Sequence, residues 1–573
     1  MFQLAPLDWH KPHVRSHDSW SWRDPVNISL PTLGDNIQEQ AYAVRVSPSL
    51  AETATIFNVP RGTAYITIQQ VVFYVTSFLY YVLLVRILNL SQVGEVSLLA
   101  AASSIFTTLT QLALPAAATR FISSRIGNND PTSASGIAAT SLRLLLAIAG
   151  PGLVIAILAS PLIGTTVFKT PDSSNLLIAT FTASFLFDLT ALYGAFFLGL
   201  GLYVDILYQN ILFFPLSRGL GLALAYKGLG PLGIPLGWAI GSLATLLLSL
   251  YLWKGKLSHS RRYPSRPLLV FGLPLFASAL VTLVQGWGDI ALLQGILGQF
   301  GNTGAYYILV SSVSFLSILW IPVAGALYPA LSSSFTREGA TAVSARLAVA
   351  TRLINLTVLP TGVTLAAIAP TALEAVFGSS LANQAVPFAI LATTLIFTAQ
   401  SLLLITTLQS VSRTRHILGI SLAATIVDLV TVGLGASILG TTAGAIGRAL
   451  LAFTTMLLAW FSLRRVLYAP VAQGLSKALA LTVLTALPLL TVDSLLTVDF
   501  RLVPLIRVPM LLGVFVACFL ATSRGFNVFN EDDLDLLNNA LPKSFSPLLR
   551  RITHLLVQKT RRKPSESGPT RQQ

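Results

Sequence analysis

From residue 63 to residue 521 the chain is a succession of long apolar runs broken by short polar stretches. Nothing else constrains the fold as much. A run of about 20 apolar residues, at 1.5 Å per residue in a helix, spans the hydrocarbon of a bilayer. The first two runs, 63 to 85 and 93 to 118, are joined by Arg86-Ile-Leu-Asn-Leu-Ser-Gln-Val-Gly94-Glu95 and closed by Thr119 to Arg125, and read as a helical hairpin. With 54% of residues hydrophobic and 10% charged, a soluble core has too little polar cover for this apolar surface. Lipid is the natural solvent, and helices satisfy their own backbone there. The fold class is all-α, polytopic, with about fourteen spans: 63–85, 93–118, 134–160, 174–200, 203–225, 231–253, 268–298, 303–331, 346–376, 384–410, 416–438, 441–463, 476–493 and 502–521.

The formal charge of +15 suggests nucleic acid only until the basic residues are located. They sit in short loops and the C-terminal tail, which fits anionic lipid and excludes a nucleic-acid partner. With the N-terminus in the cytoplasm, nearly all loop and tail lysines and arginines lie inside, leaving Arg86, Lys169, Lys227 and Arg501 outside. Both termini are therefore expected in the cytoplasm and the protein in the plasma membrane. The outer connections are too short to house an active site. Cys518 is the single cysteine, so no intrachain disulfide forms. Residues 1–62 carry Trp9, Trp20, Trp22, His10, His13 and His17 among many prolines, and read as a polar cytoplasmic tail with no removable signal peptide. Residues 522–573 hold a short acidic helix start at Asn530 and a basic amphipathic stretch, Leu548 to Lys559, expected on the inner leaflet.

The chain looks duplicated. Gly94 and Gly304, Ser123-Ser124 and Ser333-Ser334, and Gly230 and Gly440 each stand 210 residues apart. Six spans per unit bring both copies into the membrane the same way, as parallel repeats with the substrate site between them. The expected units are an N-lobe (63–253), a basic linker (254–267), a C-lobe (268–463), two additional spans (464–521) and the tail.

Arg86 to Gly94, the approach from Pro115 to Arg120, Phe271-Gly-Leu-Pro274-Leu, Asp289, Gly304-Ala-Tyr306 and Pro329 stand in the order seen in oligosaccharide flippases. Over residues 63 to 521 the chain resembles that polysaccharide-transporter branch of the multidrug/oligosaccharidyl-lipid/polysaccharide superfamily, whose fold is MATE-like. One departure is Gln92-Val93-Gly94, where the family usually has an acidic and an aromatic residue before the glycine. The resemblance implies alternating access of two lobes around a central cavity, moving a lipid-linked glycan from the inner to the outer leaflet.

Charges inside spans are the candidate functional residues, because an arginine at the centre of a membrane helix costs about 2.5 to 3.5 kcal/mol on insertion scales. Arg143 and Arg352, 209 residues apart, are candidates to converge on one substrate phosphate or pyrophosphate; the alternative is that each reaches to lipid phosphates. Arg218, a headgroup candidate, and Asp428, a candidate coupling-ion or cavity polar group, are again 210 apart and are candidates to pair. Arg448 is a further headgroup candidate and Asp188 a further cavity polar group. Asp289, with Gln285 one turn before it, reads as a coupling-ion site for H+ or Na+, the alternative being a helix-packing bond. Gly228-Leu-Gly230-Pro-Leu-Gly233 matches a dinucleotide fingerprint by letter, but it opens a membrane helix with no strand before it, so helix packing is expected. Asn89-Leu-Ser91 is a glycosylation sequon close to the membrane. No metal-ligand cluster, cofactor motif or catalytic triad stands in the sequence, and a monomeric, non-enzymatic transporter is expected. A multidrug or cation exporter predicts an acid-rich cavity and twelve spans. A membrane glycosyltransferase or polymerase predicts a large acidic outer loop.

Overall fold

The computed structural model describes residues 59–168, 173–254, 256–257, 262–498, 504–526 and 528–529. The expectations for the N-terminal tail before residue 59 and for the amphipathic stretch after residue 529 lie outside the described residues. Every regular element among them is helical: α1 (Val59–Ile87), α2 (Leu90–Gln111), α3 (Leu114–Gly127), α4 (Pro131–Ile163), α5 (Ser173–Gly199), α6 (Tyr203–Leu224) and α7 (Gly233–Trp253). The second half follows the same plan: α8 (Arg266–Leu297), α9 (Phe300–Ser314), α10 (Ile321–Glu338), α11 (Ala340–Ala367), α12 (Ala369–Phe377), α13 (Ala385–Ser410), α14 (Thr414–Leu439) and α15 (Thr441–Leu463). Two further helices, α16 (Leu475–Val498) and α17 (Pro504–Gly525), close the described chain.

Thirteen stretches are long and apolar enough to cross a membrane, and one of them, Tyr203–Trp253, is the folded-back pair α6 and α7. Fourteen crossings result among the described residues. Their outward faces stay apolar: Leu158, Leu434 and Ile438 are largely exposed, as side chains facing lipid are. Loops with many arginines and lysines gather at one end of the bundle, here the basic end; Arg86 and Lys227 lie at the opposite end.

Two spans read as continuous from the sequence are broken. The second span stops at Leu112 and Ala113, both in the left-handed region (φ 45° and 57°), before Leu114-Pro115 restarts it as α3. The eighth stops in a tight 3-10 turn, Phe315–Leu319, before Ile321-Pro322 restarts it as α10. A proline removes a backbone donor and pushes the residue before it out of helical torsions, but is well suited to a helix's first turn. Both breaks therefore fall just ahead of a proline, each within the second span of its half.

The duplication is visible in the backbone. Gly230 and Gly440 open corresponding helices with nearly the same torsions, φ 54°, ψ −138° and φ 56°, ψ −131°, a region that side chains disfavour. At Gly94 an added Cβ would run into the carbonyl of Phe300, and at Gly304 into the carbonyl of Leu90. Residue 90 is to 300 as 94 is to 304, so α2 and α9 cross back to back on a local twofold axis, as closely as two backbones can approach. Pro151 and Pro360, Pro161 and Pro370, and Arg143 and Arg352 share a spacing of 209 within α4 and the pair α11 and α12.

Asn89 caps α2: its side chain accepts from Gln92 N at 2.9 Å, and Gln92 Oε1 accepts from Asn89 N at 3.2 Å. Gln92, the departure from the family pattern, thus completes a reciprocal cap. Asp130 caps α4, and the bonds from Ser133 and Thr132 hold its carboxyl down to about 2. The added helices are fastened by Arg507, which donates to Asp493 (2.8 Å) and to Thr371 of α12 (3.0 Å).

Candidate functional site

Between the halves lies a cavity of about 400 Å³. The first half supplies α1 (Phe73, Tyr74, Tyr81) and Arg218 of α6; the second supplies Trp287 of α8, Tyr307 of α9 and Arg448 of α15. The wall is mostly aromatic and serine, with one guanidinium from each half. Tyr81 and Tyr307 meet hydroxyl to hydroxyl at 3.3 Å across the two halves, and Trp287 stacks on Tyr307.

Arg218 donates to Thr76 Oγ1 (2.9 Å) and to the Phe73 carbonyl (3.3 Å), and its guanidinium lies over the rings of Phe73 and Phe214. Neutral partners and aromatic faces orient the group without cancelling its charge. It does not pair with Asp428; the expectation drawn from their 210-residue spacing is corrected. Equivalence under the repeat puts the two at matching places in different lobes, and each then takes neighbours from its own lobe.

Arg448 instead finds Asp289. Nε donates to Oδ2 at 2.5 Å and Nη2 to Oδ1 at 3.0 Å, a forked pair, while Nη2 also donates to the Gly286 carbonyl at 2.9 Å. Tyr306 of α9 donates to the same Oδ2 at 2.5 Å. Small residues make this possible: a Cβ on Gly444 would strike the Tyr306 ring, and one on Gly447 would strike Asp428. Asp428 is fully buried, neither of its oxygens has a hydrogen-bond partner, and it stands within electrostatic reach of Asp289 and Arg448. The cluster holds two carboxylates for one guanidinium. Of its members Arg448 lines the cavity.

The remaining candidates lie elsewhere. Gln285 donates to the Ser421 carbonyl (3.1 Å), packing α8 on α14 rather than joining Asp289. Asp188 accepts from Thr110 (2.6 Å) and Gln111 (2.8 Å), clasping the end of α2 at its break; it does not line the cavity. Arg143 and Arg352 are not cavity residues either. Arg143 borders a separate hollow beside Arg262 and Tyr263, and Arg352 donates to the Val528 carbonyl at 2.7 Å. Their expected convergence on one anion is corrected: each faces the chain segment that follows its own lobe. Gly233 closes the turn from α6 to α7 against the backbone of Leu224 and Ala225, so the fingerprint-like glycines serve packing. No group of three or more metal-binding side chains occurs among the described residues. The sequence reading missed Tyr306 as a functional residue, and the aromatic wall. The one signal was Tyr306 following Gly304 by two residues, which turns it away from the glycine crossing.

Two like lobes of six membrane-crossing helices, a cavity between them and two added helices define a multi-pass membrane protein of the MATE-like fold. More particularly, residues 59–335 match the family described as polysaccharide biosynthesis protein, so the resemblance read from Arg86 to Pro329 is borne out. No curated protein matches the chain by sequence. Among solved structures the chain is similar to the lipid II flippase MurJ in an inward closed conformation, at 13% identity and TM-score 0.66, over 80% of this chain and 98% of that one. It is also similar to an inward-facing multidrug resistance MATE family transporter of the MOP superfamily (16%, TM-score 0.56, 68% and 94%). A third is a MOP superfamily transporter from Pyrococcus furiosus described as having a binding pocket of reversed polarity (15%, TM-score 0.50, 73% and 95%). At these identities the likeness is one of fold.

Proposed function

We propose that the protein is a flippase for a lipid-linked glycan, carried on a polyprenyl phosphate or pyrophosphate, and that it works by alternating access from the cytoplasmic to the outer leaflet. One observation carries the reading: the cavity between the lobes presents Arg218 and Arg448 together, and no carboxylate is among its lining residues. An anionic headgroup suits the guanidinium of Arg218, whose partners are neutral, with Arg448 beside it held by Asp289, and the aromatic wall suits sugar faces. An exporter of organic cations calls for the opposite charge. Cell-surface polysaccharide or glycoprotein glycan synthesis is the use such a substrate implies, with no chemical change to it. The basic end faces the cytoplasm, as the charge distribution supports, and the protein acts as a monomer in the plasma membrane. The surplus carboxylate of the Asp289, Asp428 and Arg448 cluster leaves room for one more cation, so a proton or sodium ion bound there would drive the lobes.

The test uses Arg218, whose partners are neutral. Arg218→Gln should leave folded protein in the membrane at normal level. Outward delivery of the lipid-linked glycan, read by its accumulation on the inner leaflet, should fall at least about tenfold, as for a charge-assisted bond of about 1.5 to 3 kcal/mol. Normal delivery by this variant would remove the substrate assignment.

A further inference from the structure

The two halves differ at one pair of matched arginines. In each half the segment after the sixth helix is clipped to the third by a carbonyl at a matched position. Thr140 donates to the Tyr263 carbonyl at 3.0 Å, and Asn355 to the Gln473 carbonyl at 3.0 Å, 210 residues on. Beside the second clip the chain itself fills the space: Gly474 packs on the Arg352 side chain, and the Val528 carbonyl accepts from its guanidinium. Beside the first clip there is a hollow of about 330 Å³, lined by Arg143, Arg262, Thr140, Tyr263 and Ser265 with Leu144 and Ala147. Arg143 and Arg262 are both exposed, and among the described residues neither has a hydrogen-bond or ion-pair partner.

The level of this hollow in the membrane follows from α4. From Leu144 to Phe168 the third span carries no charge, a stretch longer than the roughly 20 residues that cross the hydrocarbon. Arg143 is the residue immediately before it, toward the basic end, from where its long side chain reaches the level of lipid phosphates. We propose that this hollow at the basic end binds a phosphate group, with the forked donors of Arg143 and Arg262 on its oxygens and the hydroxyls of Thr140 and Ser265 beside them. An oxygen of the phosphate takes, in the first half, the place that the Val528 carbonyl takes in the second. The phosphate comes from an anionic lipid headgroup or from solution. The site stands apart from the central cavity, so its fate is independent of the flippase reading.

The full-length protein, purified in detergent, is titrated with phosphatidylglycerol or phosphatidylcholine and the retained lipid counted by native mass spectrometry. Phosphatidylglycerol should be retained by the wild type and by an Arg464→Gln, Arg465→Gln control, and about tenfold less by Arg143→Gln, Arg262→Gln. Arg143→Lys, Arg262→Lys should recover part of the retention, and thermal midpoints should match throughout. Displacement by inorganic phosphate supports a site that takes phosphate from either source; resistance to it supports a lipid headgroup alone. Retention by the Gln pair equal to wild type, or an equal loss in the control, overturns the proposal.

Discussion

Asp289 is a fully buried acid held by a forked guanidinium and a tyrosine, and its partners show what it tolerates. A buried carboxylate is stable only while its forked guanidinium and its tyrosine remain, so removing one side of the pair costs more than removing both. Arg448→Leu alone should destabilise the protein by about 3 to 5 kcal/mol, whereas Asp289→Leu with Arg448→Leu should recover most of that loss. Thermal midpoints in detergent separate the cases. Delivery of the proposed lipid-linked glycan should be lost in the double variant, because the cavity then lacks Arg448; full delivery would show the pair to be packing alone. At this scale the sequence revealed which charges are buried but not which way they face. Arg218 and Arg448 were legible as intramembrane cations and do line the cavity. Arg143 and Arg352 looked better because the repeat pairs them, yet the spacing fixes only equivalent places in two lobes. Asp289 and Arg448 lie 159 residues apart with no shared repeat position, so only the packing of α8 on α15 reveals them as partners.

Helix breaks and crossings matter more than helix count at the next scale. The spans and their order were legible from hydropathy, because apolar length is a local property. The breaks at Leu112-Ala113 and at Phe315–Leu319 were not, because Pro115 and Pro322 sit in apolar runs that hydropathy reads as continuous. At the end away from the basic loops the lobes meet where α2 crosses α9. Arg86 adds a second tie there, donating to the carbonyls of Ala375 and Val376 at the end of α12 (3.2 Å each), a position where a cation is favoured. Gly304→Val places a side chain against the Leu90 carbonyl and should hold that end open. A thiol introduced as Tyr307→Cys in a Cys518→Ser background should then react faster with a membrane-impermeant reagent added outside. Arg86→Ala should act in the same direction and less strongly. Unchanged reactivity in Gly304→Val would show that the crossing is not the closure.

Across the whole molecule, the distribution of lysine and arginine and the arrangement of the lobes make one claim together. If the basic end is cytoplasmic, single cysteines at Asn128 and Gln473 should be protected from an impermeant reagent in intact cells, and one at Lys227 should react. Reaction of the first two would invert the topology. The duplication itself was legible in a few glycines and serines, since positions that set backbone torsions or close crossings accept few substitutes.

The halves kept the same backbone but not the same charges. Counting back 210 residues from Asp289, Tyr306 and Arg448 gives Leu79, Val96 and Trp238, and from Asp428 gives Arg218. The second half therefore contains its own electrostatic clamp, tying α8, α9 and α15 together beside the unbonded Asp428 of α14, while the first carries at those positions a lone cation among apolar side chains. Two copies of one part have thus become unlike: one is braced from within by its own ion pair, and the other keeps a single charge that nothing of opposite sign balances.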